Sequence, residues 1–220
     1  MTARPVRVTL VDDHRLLSDS LVAALTAEGF AVRAVEPSPG PDLVHEIAAT
    51  TPDLVLLDLD LGDSIDGTVL VRPLRAAGAR VLVMTASTDA LRHGAVLEQG
   101  AVGVLQKSRP FDELLTGITA AACGEDLLSP EDRRGLIRRW RAAAVEERDV
   151  AAGFARLSTR EASVLEALQE GRSVREIAVG WHVSEATVRS QVHAILTKLG
   201  VTSQLQAVAL ARRGGWVPPA

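Results

Sequence analysis

The chain has one cysteine, Cys123, and no tyrosine among its 220 residues. A single cysteine excludes an intramolecular disulfide, which fits a reducing compartment. None of the five histidines stands near another histidine or a cysteine at the spacing of a metal-binding motif. Apolar runs near the length of a membrane span are missing, and the N-terminus lacks a signal-peptide pattern. We therefore expect a cytoplasmic protein with no membrane partner.

Lysine is scarce as well. Only two of the 24 basic residues are lysines, Lys107 and Lys198. Where arginine is the usual cation, a lysine at the end of a strand indicates a need for a compact, mobile charge. A solvated loop lysine is the alternative.

Charge is distributed unevenly along the chain. Residues 1–129 carry 10 Lys and Arg against 18 Asp and Glu, a net charge of −8. Residues 130–153 carry 6 against 5, and residues 154–220 carry 8 against 5, so their net charges are +1 and +3. The asymmetry predicts two modules with different partners, and the basic module is compatible with nucleic acid.

Apolar segments with the length of buried strands alternate with helical patterns in the first module. The predicted strands are 6–11, 31–35, 54–57, 81–84 and 102–105. The predicted helices are 15–28, 41–49, 67–77, 88–99 and 111–123, with a kink or an early end at Pro73. Five strand-then-helix units predict an α/β, doubly wound, five-stranded parallel sheet with both faces covered.

Polar residues follow four of the predicted strands: Asp12 and Asp13, Asp58, Thr85, and Lys107. Right-handed crossovers bring the strand C-termini to one edge, where these side chains should converge. Three neighbouring carboxylates need a cation, and hard oxygen ligands suit Mg²⁺. A carboxylate can attack phosphorus and form an acyl phosphate, whose oxygens a hydroxyl and an ammonium can bind. Taken alone, Asp58 is equally typical of a residue that caps the next turn.

Residues 5–125 resemble the receiver domain of two-component response regulators. The matching elements are Val11-Asp12-Asp13-His14, Pro52 to Asp58, Met84-Thr85-Ala86 and Leu105-Gln106-Lys107. The resemblance implies a flavodoxin-like fold, a sensor histidine kinase as partner, and Asp58 as the phosphoacceptor, with Thr85 and Lys107 contacting the phosphoryl group. The Mg²⁺ ligands that it implies are Asp13, Asp58, the backbone carbonyl of Asp60 and, assisting, Asp12.

The chain departs from this family's pattern at three places. Val104 stands where the family has Tyr or Phe, so the aromatic half of the family's Thr–aromatic switch is missing. Leu61-Gly62-Asp63-Ser64 replaces the usual Met-Pro-Gly and adds about one residue, which predicts a more acidic and more mobile loop. Pro110 does not directly follow Lys107. These departures predict an altered readout of phosphorylation.

Two alternatives stay open for the first module. One is a pseudo-receiver, controlled by a ligand, a partner or concentration without phosphorylation. The other is an enzyme, because Asp58-Leu59-Asp60 after an apolar strand also looks like the nucleophile motif of haloacid-dehalogenase-type phosphatases. In those enzymes the nucleophile strand usually comes first in the chain, whereas here an acidic pair precedes it.

We expect three segments: a first module over 1–125, a helical linker over 126–153 and a second module over 154–220. Ser129-Pro130 begins the linker helix or helices. Caps and stops in the second module predict four helices, the third at 185–199 and the fourth at 203–213. The third has Val188, Val192, Ile195 and Leu199 facing inward, and Arg189, Ser190, His193 and Thr197 facing outward. A helix, a tight turn and a helix with a polar outer face predict a helix-turn-helix, with a generic helical bundle as the alternative.

Residues 157–208 resemble the DNA-binding domain of NarL/LuxR-type regulators. The match includes Leu157 to Glu161, Glu176-Ile177-Ala178, Thr187-Val188-Arg189 and Lys198 to Val201. The resemblance implies a transcription regulator rather than an enzyme, acting on double-stranded DNA and RNA polymerase, with a homodimer helix over 202–213 or a dimer through the receiver. The implied base contacts are Arg189, Ser190 and His193, and the implied phosphate contacts are Thr187, Lys198 and Arg175. Trp181, Gln191 and Gln204 depart from the family pattern, and the last of them removes a positive charge.

Overall fold

The computed structural model describes residues 4–37, 42–62 and 65–218. The chain divides into two compact units, Met1–Ala143 and Ala144–Ala220. The division falls inside the segment predicted as the linker. Predicted features at Pro41, Asp63 and Ser64 lie outside the described residues.

The first unit contains a five-stranded parallel sheet with the order β2-β1-β3-β4-β5. Its strands are β1 Arg7–Val11, β2 Ala31–Val35, β3 Leu54–Asp58, β4 Arg80–Thr85 and β5 Gly103–Gln106. The helices between and after them are α1 Arg15–Ala27, α2 Leu43–Ala49, α3 Val71–Ala76, α4 Ala90–Glu98 and α5 Phe111–Ala122. The predicted doubly wound fold is confirmed.

The central strand β3 shows why the apolar run before Asp58 is unbroken. Leu54 and Leu56 pack in the core cluster that contains residues of α1 and α5. Val55 and Leu57 pack in the opposite cluster with residues of α2 and α3. All four are fully buried, and burial of each side chain contributes about 1.5–3 kcal/mol. Because both faces of this strand are covered, its sequence is an unbroken apolar run up to Asp58, its last residue.

The region around Pro73 differs from the prediction of one kinked helix over 67–77. Residues Gly67–Leu70 form a 3₁₀ turn, and α3 begins only at Val71. Pro73 is thus the third residue of α3 and lies in its first turn. The backbone N–H groups of a first turn have no partner within the helix, so the missing N–H of proline is tolerated there.

The second unit is helical, and the predicted connecting segment is a single long helix. The remaining helices are α6 Pro130–Ala155, α7 Thr159–Gln169, α8 Val174–Gly180, α9 Glu185–Leu199 and α10 Gln204–Arg213. Ser158 and Ser173 begin α7 and α8 with capping boxes, and Gly200 ends α9 at φ +67°. The four-helix prediction for this module is confirmed.

The inward face predicted for α9 is also confirmed. Val188, Ile195 and Leu199 are buried, and Val192 packs partly buried against the same core. No single helix of the described residues is long and apolar enough to cross a membrane. Helices α9 and α10 meet that criterion only as a pair bent by 57°.

Within the first unit, α6 is seated directly on α4. A Cβ atom added at Gly94 of α4 would lie 2.5 Å from the backbone oxygen of Leu136 and 2.7 Å from Cβ of Trp140. The Arg141 guanidinium donates to both carboxylate oxygens of Glu98, at 2.9 and 3.0 Å. Only glycine leaves room for this approach, so the contact is made largely between helix backbones.

Candidate functional site

The polar residues that follow the strands of the first unit lie at one edge of the sheet because the strands are parallel and in matched register. Val11 is opposite Leu57, and Asp58 is opposite Met84. Thr85 is opposite Gln106, the residue before Lys107. The polar residues therefore lie at nearly the same level along the strand direction, at the carboxyl edge of the sheet. Open α/β sheets bind their ligands at this edge.

Lys107 joins two of the carboxylates. Its ammonium Nζ lies 2.6 Å from Asp58 Oδ2 and 2.7 Å from Asp12 Oδ2. The lysine side chain is 9% exposed and the two carboxylates are almost completely buried. Because a buried charge without a partner is very unfavourable, the three side chains stabilise one another as a unit.

Two opposing effects act on the Asp58 carboxyl group. Burial raises its pKa, while the hydrogen bond and the charge of Lys107 and a backbone hydrogen bond from Asp60 oppose that rise; the pKa remains above its ordinary value. The Asp60 N–H donates to Asp58 Oδ1 at 3.2 Å. The lysine thus preserves a carboxylate in a place where burial alone favours the neutral acid.

Thr85 is completely buried at the end of β4. Its hydroxyl oxygen accepts a hydrogen bond from the Ser87 N–H at 3.0 Å, and its carbonyl accepts one from the Lys107 N–H at 2.8 Å. Thr85 therefore fixes the backbone of Lys107, and its own hydroxyl is turned toward the loop after β4.

Sequence reasoning did not assign a role to His14 or Arg92. His14 Nδ1 lies 2.7 Å from Asp13 Oδ1 and 3.4 Å from Lys107 Nζ. On α4, the Arg92 guanidinium lies 3.0 Å from Asp60 Oδ1 and so holds the acidic loop that follows Asp58. The only sequence signal for His14 was its place directly after the acidic pair, and Arg92 had none.

Gly67 contacts the backbone at the start of the same loop. Its N–H donates to the Leu59 carbonyl at 2.8 Å. A Cβ atom at this position would lie 2.2 Å from the backbone oxygen of Asp58 and 3.0 Å from Cα of Leu59. The residue is a glycine because the backbone that carries Asp58 passes directly over it.

The pocket has a donor set that fits Mg²⁺. Asp12, Asp13, His14 and Asp58 each offer a ligand atom within 4.8 Å of the others. Asp12 Oδ2 is buried, and its contact with Lys107 departs from hydrogen-bond geometry, so among the described residues it has no hydrogen-bond partner. Carboxylate oxygens are the ligands that this hard cation prefers.

In the second unit, the residues predicted to read DNA bases lie on the outer face of α9. Arg189, Ser190 and His193 are exposed, as is Thr187 at the start of the helix. Arg189 forms an ion pair with Glu185, one turn earlier, at 3.0 Å. Arg175, predicted to contact phosphate, is exposed on α8. These five positions leave the polar face open to a ligand.

Lys198, also predicted to contact phosphate, is engaged inside the unit. Its Nζ lies 2.6 Å from Oε2 of Glu161, a buried residue of α7. Burial raises the pKa of Glu161, but the hydrogen bonds from Lys198 and Ser158 lower it by more, so the pKa lies below its ordinary value. Glu161 also closes the capping box of α7. The pair ties α9 to α7.

Replacing Glu161 by Gln should destabilise the second unit by about 1.5–3 kcal/mol at pH 7, the range for a hydrogen bond to a charged group. A carboxyl whose folded pKa is depressed stabilises the fold above its unfolded pKa of about 4.3 and loses this contribution as the pH falls through the folded pKa. The measurement is urea unfolding followed by tryptophan fluorescence in a Trp140→Phe background. The difference in unfolding free energy should be largest at pH 7 and should shrink as the pH is lowered below the unfolded pKa of about 4.3.

Glu166→Gln is the matched control, because Glu166 is an exposed residue of the same helix. It should change the unfolding free energy by less than about 0.5 kcal/mol at either pH. An equal loss at both pH values in Glu161→Gln would show that the charge of this residue is unimportant.

Comparison with known families agrees with the fold and the pocket. The response regulator receiver domain matches residues 8–119, and the luxR family of bacterial regulatory proteins matches residues 155–211. The chain belongs to the two-component response regulators that combine a receiver domain with a LuxR-type helix-turn-helix domain. Its curated relatives are named as transcriptional regulators.

Two curated relatives are similar along nearly their whole length. The transcriptional regulatory protein DegU of Brevibacillus brevis is 28% identical, over 96% of this chain and 95% of that protein. The "Probable transcriptional regulatory protein NarL" of Mycobacterium tuberculosis is 32% identical, over 94% of each. A LuxR-family two-component response regulator from Aurantimonas sp. SI85-9A1 has a crystal structure at 30% identity and a TM-score of 0.51, covering 63% of this chain and 99% of that one.

Proposed function

We propose that Asp58 is the phosphoacceptor of this response regulator and that a sensor histidine kinase is its phosphodonor. The observation that carries the proposal is the position of Lys107 Nζ, at 2.6 Å from Asp58 Oδ2 and 2.7 Å from Asp12 Oδ2. An ammonium group shared by two buried carboxylates marks the place where negative charge accumulates when a phosphoryl group arrives.

In the reaction, a carboxylate oxygen of Asp58 forms a bond to phosphorus while the bond from phosphorus to the donor nitrogen breaks, which leaves an acyl phosphate. Lys107 opposes the rise in the pKa of Asp58 that burial causes and so favours the ionised form before the transfer; its ammonium can contact the new phosphoryl oxygens afterwards. We place Thr85 beside those oxygens, to which its hydroxyl hydrogen can donate while its oxygen still accepts from the Ser87 N–H.

Mg²⁺ belongs to the same proposal. Asp12, Asp13, Asp58 and the backbone carbonyl of Asp60 would hold it, and the fit of the oxygen donors supports this assignment. When bound, the ion neutralises charge on the transferred group. The protein residues orient the acceptor oxygen and exclude water from the buried side of the pocket.

Intact-mass measurement tests the phosphoacceptor. With Mg²⁺ and a small phosphodonor, the full chain should gain the mass of one phosphoryl group, and Asp58→Asn should gain none because an amide cannot accept it. Asp60→Asn is the control: this exposed carboxylate binds Arg92, so its loss should leave the adduct intact.

The other outcomes separate the two alternatives. No mass gain in the native chain would exclude phosphorylation of this kind and favour a pseudo-receiver. Release of phosphate from the donor by the native chain but not by Asp58→Asn, without a stable adduct, would favour phosphatase chemistry.

We further propose that the outer face of α9 enters the major groove of DNA. Arg189, Ser190 and His193 would contact base edges, and Thr187, Arg175 and Lys198 would contact phosphates. The exposure of the first five residues supports this, whereas Lys198 would have to share its ammonium with Glu161. Arginine is well suited to guanine, which presents two acceptors in the major groove.

A binding experiment distinguishes base contacts from phosphate contacts. The DNA is first selected by the full chain from a random pool of sequences, and the affinity of each variant for it is then measured. Arg189→Ala should weaken binding by about 1–3 kcal/mol and relax the preference at one base position. Arg175→Ala should weaken binding to all sequences alike and reduce the slope of log affinity against log salt by about 1. If Arg175→Ala changed the base preference and Arg189→Ala changed only the salt dependence, the two roles would be exchanged. If neither variant changed binding, the DNA-binding surface would lie elsewhere.

We also propose that the protein forms a homodimer, that it contacts RNA polymerase and that it is cytoplasmic. Residues 202–213 include α10, on which Leu205 is 79% exposed. A single exposed leucine is common on protein surfaces, so the resemblance of this segment to the dimer helix of the family is what supports a dimer contact there. Two copies would bind two half-sites, as the dimers of helix-turn-helix proteins do. Dimerisation through the receiver domain is the second possibility.

A further inference from the structure

Helix α6 carries a run of arginines that no acid interrupts. Residues 133–145 contain 5 Arg and no Asp or Glu. The acids of the same helix lie before and after this run, within 131–132 and 146–149. The small net charge of residues 130–153 therefore hides a strongly basic middle stretch.

Within the first unit, two of the five arginines hold α6 in place. Arg133 donates to two backbone carbonyls just before β5, at 3.0 and 2.6 Å. Arg141 pairs with Glu98 of α4 at 2.9 Å. Together with the close contact at Gly94, these bonds fix the helix that carries the other three arginines.

The other three arginines, Arg134, Arg138 and Arg139, form what we call the basic patch. All three are exposed, and none of them makes an ion pair within the described part of the chain. Arg134 and Arg138 lie one turn apart on the same face, and like charges at this spacing weaken a helix. The protein thus retains a repulsive pair that no internal contact offsets, which indicates an anionic partner.

The chemistry of the patch fits a nucleic-acid backbone better than an acidic protein. Guanidinium groups donate in planar forks that match phosphate oxygens. Protein interfaces usually have an apolar or aromatic centre. The only exposed large apolar side chain of α6, a helix described throughout, is Val145, about two turns beyond Arg138. Cations clustered on a helix without such a centre are typical of binding to DNA phosphates.

The second unit has few free cations of its own. Residues 154–220 contain 8 Lys and Arg. Three of these are paired with carboxylates inside the unit: Arg172 with Glu170, Arg189 with Glu185 and Lys198 with Glu161. The sequence-independent part of DNA affinity grows with the number of phosphates that are neutralised, so cations outside this set would strengthen binding.

We propose that the basic patch of α6 is a second DNA-contacting surface, which binds phosphates and does not read bases. The inference rests on the DNA binding of the proposed function and adds a surface outside the helix-turn-helix. Its contribution is electrostatic, so it should act on any duplex sequence and decrease as the salt concentration rises.

The salt dependence of DNA binding by the full chain tests the patch. A variant with Arg134→Ala, Arg138→Ala and Arg139→Ala should reduce the slope of log affinity against log salt by about 2–3, since each phosphate contact contributes about 0.9. Its affinity for an unselected duplex should fall about tenfold or more at about 0.1 M salt, while the base preference on selected DNA stays unchanged. Alanine favours helix, so the variant should fold, which circular dichroism checks.

The matched control replaces three other exposed arginines of the first unit by alanine, Arg33, Arg72 and Arg109. It has the same net charge as the patch variant and should leave the slope within about 0.5 of the native value. Equal losses in both variants would assign the effect to net charge and overturn the inference. An unchanged slope in the patch variant would also overturn it and would leave an acidic protein surface as the partner. If the native full chain bound no DNA, the inference would fall together with the DNA-binding part of the proposed function.

Discussion

Gly67→Ala should destabilise the first unit by about 3 kcal/mol or more, although the substitution adds a single methyl group. That methyl would lie 2.2 Å from the Asp58 carbonyl oxygen. Neither atom can rotate away, because the methyl carbon is fixed directly to Cα and the oxygen belongs to the backbone. Overpacking in a core typically destabilises by about 1–3 kcal/mol, and a clash with backbone lies at the upper end. Urea unfolding of the full chain, followed by far-ultraviolet circular dichroism, measures the change.

Gly135→Ala is the matched control and should act in the opposite direction. A Cβ atom at this position meets nothing within 4 Å, and the residue lies inside α6. Alanine is favoured over glycine in a helix by about 1 kcal/mol, so this variant should be more stable. If Gly67→Ala were as stable as the native chain, the close contact between Gly67 and the Asp58 backbone would be contradicted.

Lys107→Met should lower the stability of the first unit by about 3–5 kcal/mol at neutral pH, the range for breaking a buried ion pair. Methionine keeps most of the volume of the side chain but leaves Asp12 and Asp58 buried without their shared cation. The same variant should gain more stability from Mg²⁺ than the native chain gains, because the ion no longer competes with an ammonium and its binding stabilises the folded state. Thermal unfolding with and without Mg²⁺ measures both effects.

Removing a carboxylate together with the lysine separates charge from packing. Lys107→Met combined with Asp58→Asn should be more stable than Lys107→Met alone, since one fewer buried carboxylate is left unpaired. Equal stabilities would mean that the loss comes from packing of the lysine stem instead of from its charge.

The fold was predictable from the sequence because its physical determinants are local and repeated. Five apolar runs of strand length, each followed by a helical pattern, permit few arrangements besides a parallel sheet covered on both faces. The convergence of Asp58, Thr85 and Lys107 at one edge then follows from the direction of the strands. The site residues were therefore predictable as a set before any distance was known.

The contacts inside that set were not predictable, because they depend on side-chain geometry. The pattern could place Lys107 near Asp58, but not show that it also contacts Asp12. It predicted Lys198 as a phosphate contact and could not show its bond to Glu161, which is 37 residues away along the chain. The departure at Pro73 has a similar origin, since the tight contact at Gly67 places a 3₁₀ turn before the helix.

The seat of α6 on Gly94 has a mechanical consequence. A displacement of α4 at this point would bear directly on the backbone of α6, because Gly94 places no side chain between the two helices. Two residues earlier, Arg92 is tied to Asp60 in the loop beside Asp58. Helix α4 thus contacts the loop beside Asp58 through Arg92 and contacts α6 through Gly94, and neither of these contacts involves Val104.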